Sequence, residues 1–458
     1  DDARALAQAL GKTKIRAERL VEAAMYAPQW ISLIEEYLGW TGLKSGCYYF
    51  MAHMNEQFDD QKMAVIARYT PLSAQELQEG AFDIDWFREA YGLLGEKNFA
   101  VLYKAAKYIA DGQKHSRARK YADAAAGNIP LADLRAQIGA KRNKDLLMSY
   151  GLVPFGRNKE KDLLQRYQFI QNFAKEAKQF GAQRRASETR AAQTALLNLS
   201  VHAGYADVTR LTLNMESRMA EQFAPWMEWN RVEDVEIRLF VDETGNSEII
   251  CRKGEKTLKS VPSRLKKNPA VLEIKQAQKA LKEQYRRAKK LMEESMEDGA
   301  EFTAAETAAL LRNPVVRAIL STLVWIQTDG ETAGWIALPE SRAQTKETEN
   351  AAKQQKQPRT QLTLLSLDGS RTELDGGARL RIAHPLDLYR ADIWHSCQKY
   401  LFDHQIRQSF KQVFRELYVK LPEELAQKTS RMFAGNQIQP QKTAACLKGR
   451  RWIADYEE

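Results

Sequence analysis

The apolar pattern of this chain changes period once, near Val235, and that change limits the fold to helices first and strands after. Before it, Ile31, Ile34, Tyr37 and Leu38 follow helical spacing, as do Leu102, Ala105, Ala106 and Ile109. Such spacing puts apolar side chains on one side of a helix. Helix-breaking residues fall at Pro28, Gly39, Pro71, Gly80, Gly127, Pro130, Gly151 and Pro154. That is one break per helix or helix pair. The pattern predicts a stack of helices over residues 1–230, of the solenoid kind but without a clean repeat period.

After Val235 the pattern alternates. Residues 236–241 (EIRLFV), the turn 242–246 and residues 248–251 read as a hairpin. A second hairpin is residues 322–327, the turn Asp329-Gly330 and residues 334–338; a third is residues 361–367, Asp368-Gly369 and residues 371–374. Residues 379–383 add another strand, and all of these are expected to pair into one antiparallel sheet. Between the first two hairpins, Ile274, Leu281, Tyr285, Ala288 and Met292 form a coiled-coil-like seam on a helix over 270–298. With so few large aliphatic residues, the seam is expected to pack within the chain rather than against a second copy. The fold class is therefore α+β, with an α-helical array over 1–230 and a mixed domain over 231–458. Residues 340–359 hold no large apolar side chain and are expected to form a mobile loop.

At 458 residues the chain has room for two or three domains. It contains no apolar run long enough for a transmembrane helix, and its first residues lack a signal-peptide pattern. Cys47, Cys251, Cys397 and Cys446 lie far apart with no close pair, which suits reduced thiols in a cytoplasm. The net charge is +10, and it is unevenly placed. Residues 1–110 carry 12 Lys and Arg against 15 Asp and Glu; residues 111–190 carry 17 against 8. A local basic excess attracts phosphate backbones or acidic surfaces, although Lys and Arg on solvated helix faces give the same composition. From this segment Lys141, Arg142 and Lys144 are candidate phosphate contacts. A second basic stretch, 252–267, adds Arg252, Lys253, Lys256, Lys266 and Lys267.

Near the C-terminus stand His384-Pro385-Leu386-Asp387, then Trp394, then the block 408–418 (QSFKQVFRELY). Supporting stretches are 39–43 (GWTGL), 141–145 (KRNKD), 150–154 (YGLVP), Asn313-Pro314 and Arg451-Trp452. Together these resemble a bacterial domain family of unknown biochemical function that includes proteins called molybdate metabolism regulators, often found with a WGR domain. Relatives run on past Arg451-Trp452, so the expectation is a fragment of a longer protein, its second domain truncated. The resemblance implies no catalytic residues.

Two constellations near this block could carry chemistry. His384, His395, Cys397 and His404 are close in sequence, but their spacing is not that of metal ligands. The bland reading is a helix after Pro385 with Asp387 capping it. Block 408–418 predicts a helix with Phe410, Val413, Phe414 and Leu417 along its apolar stripe and Gln408, Gln412, Arg415 and Glu416 between them. A ligand site would use His384, Gln408, Gln412, Arg415 and Glu416, with Arg415 as an anion clamp. The preferred reading is a buried polar network, with Arg415 held by a carboxylate or by backbone carbonyls near the sheet. No phosphate-binding loop, dinucleotide fingerprint or nucleophile elbow is present in the sequence, and no cofactor is implied. The function expected is non-enzymatic: a regulatory or scaffold module binding nucleic acid or a protein partner. The alternative is an enzyme with its site around His384, Gln412 and Arg415.

Overall fold

A computed structural model describes residues 2–54, 59–109, 114–328, 332–338, 362–429, 431–432, 434–450 and 452. It has α+β architecture, with helices preceding antiparallel sheets. The chain divides into two compact units, residues 1–291 with 306–318, and residues 292–305 with 319–458.

The first unit opens with a helical array whose breaks fall where Gly and Pro interrupt the sequence. Helix Ala74–Glu79 begins with a capping box, in which Ser73 Oγ accepts from the Glu76 N–H and the Glu76 carboxylate accepts from the Ser73 N–H. It ends at Gly80, which holds φ +99°. A Cβ at Gly80 would lie 2.6 Å from Met148 Sδ and 2.7 Å from Tyr121 Oη, so that turn is open to glycine alone. Tyr49, Phe50, Phe82, Trp86 and Phe87 are buried at the centre of the array and pack ring against ring.

The same unit holds a four-stranded antiparallel sheet: β1 (Asn230–Val232), β2 (Val235–Val241), β3 (Ser247–Lys253) and β4 (Lys256–Leu258), in sequential order. Val235, Ile237 and Leu239 face inward. The long helix Pro269–Asp298 follows. Its buried stripe includes Ile274, Leu281, Ala288 and Met292, so the seam packs within the chain. Polar groups on this helix are bonded in part: Gln278 Nε2 donates to the Ser247 carbonyl at 2.8 Å, and Gln284 Oε1 accepts from Asn313 Nδ2 at 3.1 Å while its Nε2 is buried without a partner among the described residues.

In the second unit the described strands form a six-stranded antiparallel sheet, ordered β5 (Glu301–Thr303), β10 (Arg379–Ile382), β6 (Val324–Gln327), β7 (Ala333–Ile336), β8 (Leu362–Leu365) and β9 (Arg371–Leu374). Trp335, Leu388, Cys397, Leu401 and Val413 form its core with Val324. The expected single sheet is thus two. The first hairpin is completed locally by β1 and β4, and the long helix follows before the second sheet begins. The turn Asp329-Gly330 and the loop expected at 340–359 lie outside the described residues.

A second correction concerns the block 408–418, which is not a helix. The Val413 N–H donates to the Gln408 side-chain Oε1 at 3.0 Å instead of to a backbone carbonyl one turn back. Side chains have taken over the bonds a helix would have made. The apolar stripe splits accordingly. Phe410 and Val413 are buried, Leu417 is half-buried, and Phe414 is 50% exposed. Asp387 does cap helix Pro385–Arg390, but from its third position: its carboxylate accepts from the His384 N–H at 2.9 Å, and His384 is the N-cap.

Candidate functional site

The polar residues of block 408–416 separate into three environments. Gln412 is fully buried. Its Oε1 accepts from the Val324 N–H and from Gln408 Nε2, and its Nε2 donates to the carbonyls of Val324 and Ala383, each at 2.8 Å. Gln408 Nε2 also donates to the Thr322 carbonyl at 2.9 Å. Two donors and two acceptor sites exhaust the capacity of the Gln412 amide. The pair therefore pins the loop to the end of β6 and to the residue after β10.

Arg415 lies apart from this pin. Its side chain is 13% exposed, and Nη2 donates to Glu293 at 3.2 Å and to Glu297. Those carboxylates sit one turn apart on the long helix. Glu297 also pairs with Arg450. Arg415 Nη1 is buried with no hydrogen-bond partner. His384 is held below its usual pKa chiefly by burial, with Asp387 opposing the shift and Arg415 adding to it. Its Nδ1 accepts from the Leu386 N–H at 3.2 Å. Burial acts to raise the Asp387 carboxyl, but its bond from Arg381 and the His384 N–H hold it below the usual range. Glu416 points away to solvent and pairs with Lys411. The structure thus brings Gln408 to Gln412 and sets His384 within the field of Arg415, but it assembles no single site from all five. Among the described residues, no group of His, Cys, Asp and Glu could hold a metal ion.

Two of the three phosphate candidates of the helical array, Arg142 and Lys144, border a groove of about 730 Å³ that Lys141 does not line. Arg142, Asn143 and Lys144 line it from one side, and Ser187, Arg190 and Thr194 line it from helix Ala182–Ala203. Arg142 is the C-cap of helix Leu131–Lys141 and takes φ +46°. Its guanidinium bonds Glu188, Glu176 and the Phe173 carbonyl and stacks 3.8 Å from the centre of the Phe173 ring. Burial alone would raise the Glu188 carboxyl, yet bonds from Arg142 and Arg184 hold it below the usual range. Arg142 is therefore a fixed part of the wall. Lys144 is exposed and, among the described residues, bonds only Ser187 Oγ, at 2.7 Å. Lys141 and Arg190 are exposed. Arg117, also lining the groove, is 4% exposed and bonds the carbonyls of His53, Met54, Leu77 and Gln78, just past one helix and in the last turn of another. Sequence reasoning missed Arg117 and Arg190, because a cation on a helix reads the same whether it lines a groove or faces open solvent.

In the second basic stretch, Arg252 pairs with Glu236 and Lys253 with Asp234, each at 2.8 Å. Bonds from Lys253 and Arg264 hold the Asp234 carboxyl far below its usual range. Lys256, Lys266 and Lys267 are exposed.

Comparison with known proteins gives two matches. Residues 1–215 match a family of unknown function (DUF5724), and residues 255–452 match a domain of unknown function (DUF4132). No curated protein and no solved structure matches the chain. Among the described residues no helix is long and apolar enough to cross a membrane.

Proposed function

We propose that this chain is a non-enzymatic regulatory module of the bacterial cytoplasm, that its helical array over 1–230 binds nucleic acid, and that 231–458 is a domain like that of the molybdate metabolism regulators it resembles. The observation that carries this reading is the groove of the helical array. Its wall holds Arg117 and Arg142 in place through bonds of their own, and its rim presents Lys144 and Arg190 to solvent. Ser187, Asn143 and Thr194 add polar groups between these cations. Arg142 is offset by Glu176 and Glu188, and Glu79 and Asp145 also line the groove, so the charge offered to a phosphate backbone comes from the exposed rim cations, and charge of this kind gives affinity without base reading. The enzyme alternative has less support, because both ends of the Gln412 amide are already engaged with the sheet backbone.

The test is a polarisation titration with labelled duplex DNA at two salt concentrations. With two or more phosphates contacted, affinity falls about tenfold or more between about 50 and 200 mM salt. Replacing Lys144 and Arg190 together by Glu removes most of that binding. Absence of binding at low salt overturns the reading and leaves a protein partner as the ligand to seek.

A further inference from the structure

The groove leaves the outer face of the four-stranded sheet unused. Alternation along β2 turns Glu236, Arg238 and Phe240 outward. On β3, Ile250 stands opposite Arg238 and Glu248 opposite Phe240. The Arg238 guanidinium lies 4.7 Å from the centre of the Trp229 ring and 5.5 Å from that of Phe240. Arg252, already paired with Glu236, lies 4.0 Å from Trp229. Arg238 has no carboxylate partner among the described residues, and its Nε is buried without a hydrogen bond. Phe240 is 40% exposed.

The charges around this face sort by end. Glu233, Asp234 and Glu236 are neutralised by Arg264, Lys253 and Arg252. Lys256, Lys259, Lys266 and Lys267 remain exposed, against exposed Glu255. The acids Asp242, Glu243 and Glu248 lie at the opposite end, around the β2–β3 turn, where Asp242 holds the turn N–H groups and Glu248 accepts from Asn246. The face therefore presents an exposed ring at the end of the β2–β3 turn and, beside it, a guanidinium without a carboxylate partner among the described residues, and exposed lysines border the other end.

We infer that this face binds single-stranded nucleic acid. One base stacks on Phe240, a phosphate accepts from the Arg238 guanidinium, and the lysines beyond β3 hold the phosphates that follow. Single strands fit because their bases can unstack onto an aromatic ring while the backbone tracks cations, whereas a duplex keeps the faces of its bases hidden. The inference rests on the reading that the ligand is nucleic acid, and it names the form of that ligand and a surface apart from the groove.

The experiment compares three probes on the whole chain: a labelled oligothymidylate, the same strand annealed to its complement, and inorganic polyphosphate as competitor. The expected result is tighter binding of the single strand than of the duplex. Phe240→Ala weakens single-strand binding about fivefold or more, as for one lost stacked base, and leaves duplex binding unchanged. Phe240→Trp preserves the preference, and Arg238→Gln weakens it. Because Phe240 faces outward, its variants keep the sheet core, and a thermal melt verifies this. If wild type and Phe240→Ala bind the single strand equally while duplex binding keeps its salt dependence, the sheet inference falls and the groove reading stands. Polyphosphate that displaces the single strand as readily as unlabelled oligothymidylate also overturns the inference, since no base is then held. If neither nucleic acid binds, both readings fall.

Discussion

Gln412 exchanges two hydrogen bonds with the backbone of Val324: its Oε1 accepts from the Val324 N–H at 2.9 Å, and its Nε2 donates to the Val324 carbonyl at 2.8 Å. A residue of a neighbouring strand can make the same pair of bonds. The side-chain amide therefore acts as a short piece of sheet, and its second donor bond reaches the Ala383 carbonyl just beyond β10. This is how an irregular loop can pack against the sheet with Gln412 fully buried while the Val324 N–H and the Ala383 carbonyl find partners.

Replacing Gln412 by Leu keeps the volume and removes the amide. The Val324 N–H and the Ala383 carbonyl then lose a buried partner, at about 1–3 kcal/mol each. Urea denaturation of Gln412→Leu is expected to show a loss of about 3 kcal/mol or more. Gln412→Glu supplies the acceptor but not the donors and does not restore stability. A loss under about 1 kcal/mol for Gln412→Leu would mean that the loop is not held by this amide.

Arg415 is a weaker pin of a different kind. Its partners Glu293 and Glu297 are partly exposed, and Glu297 keeps Arg450 when Arg415 is removed. Arg415→Ala therefore strands less charge than a fully buried pair would, and the expected loss is about 1–3 kcal/mol. Arg415→Lys recovers part of it, because both carboxylates bond the single nitrogen Nη2, a role an ammonium can fill, while the guanidinium plane that packs there is lost. Thermal melts of both variants give the answer. An unchanged melting temperature for Arg415→Ala would remove its structural role and point its unbonded Nη1 at a ligand.

The parts of this fold that were legible in the sequence are those set by local period and by turn chemistry. The long helix was expected over 270–298 and spans Pro269–Asp298. The hairpin around Asp242–Asn246 forms as its alternation predicts, with Asp242 Oδ1 accepting from the Thr244 and Asn246 N–H groups. What the sequence did not reveal depends on partners far away in the chain. Phe410, Val413, Phe414 and Leu417 have helical spacing, but Gln412 finds Val324, 88 residues earlier, and the helix is lost. Arg142 and Arg117 both read as surface cations in a basic segment. One is bound by Glu188 and Glu176, and the other gathers four carbonyls from two helix ends. Arg238 and Phe240 were legible as one face of β2, two residues apart, but that spacing does not reveal Trp229 beside them.

Two buried histidines make the stability of the helical unit depend on pH. His53 Nδ1 donates to the Tyr49 carbonyl at 2.9 Å, and His202 Nδ1 donates to the Gly151 carbonyl at 2.7 Å. Burial pushes each imidazole down from 6.5 to about 4. The folded state therefore stays neutral at pH values where the unfolded chain has already taken up protons. The stability from these groups is fully present above pH 6.5 and is lost as pH falls from there towards 4. Each histidine contributes at most about 1.4 kcal/mol for every pH unit crossed. His202 stacks on Phe155, with ring centres 4.5 Å apart, and at 8% exposed it is the less buried of the two and the safer one to change. His202→Asn lowers stability at neutral pH through lost packing, but it flattens the decline between pH 6.5 and 4.5 to about half that of wild type. Urea midpoints across that window test this, and a slope unchanged by His202→Asn would mean that His202 is protonated in the folded protein at these pH values.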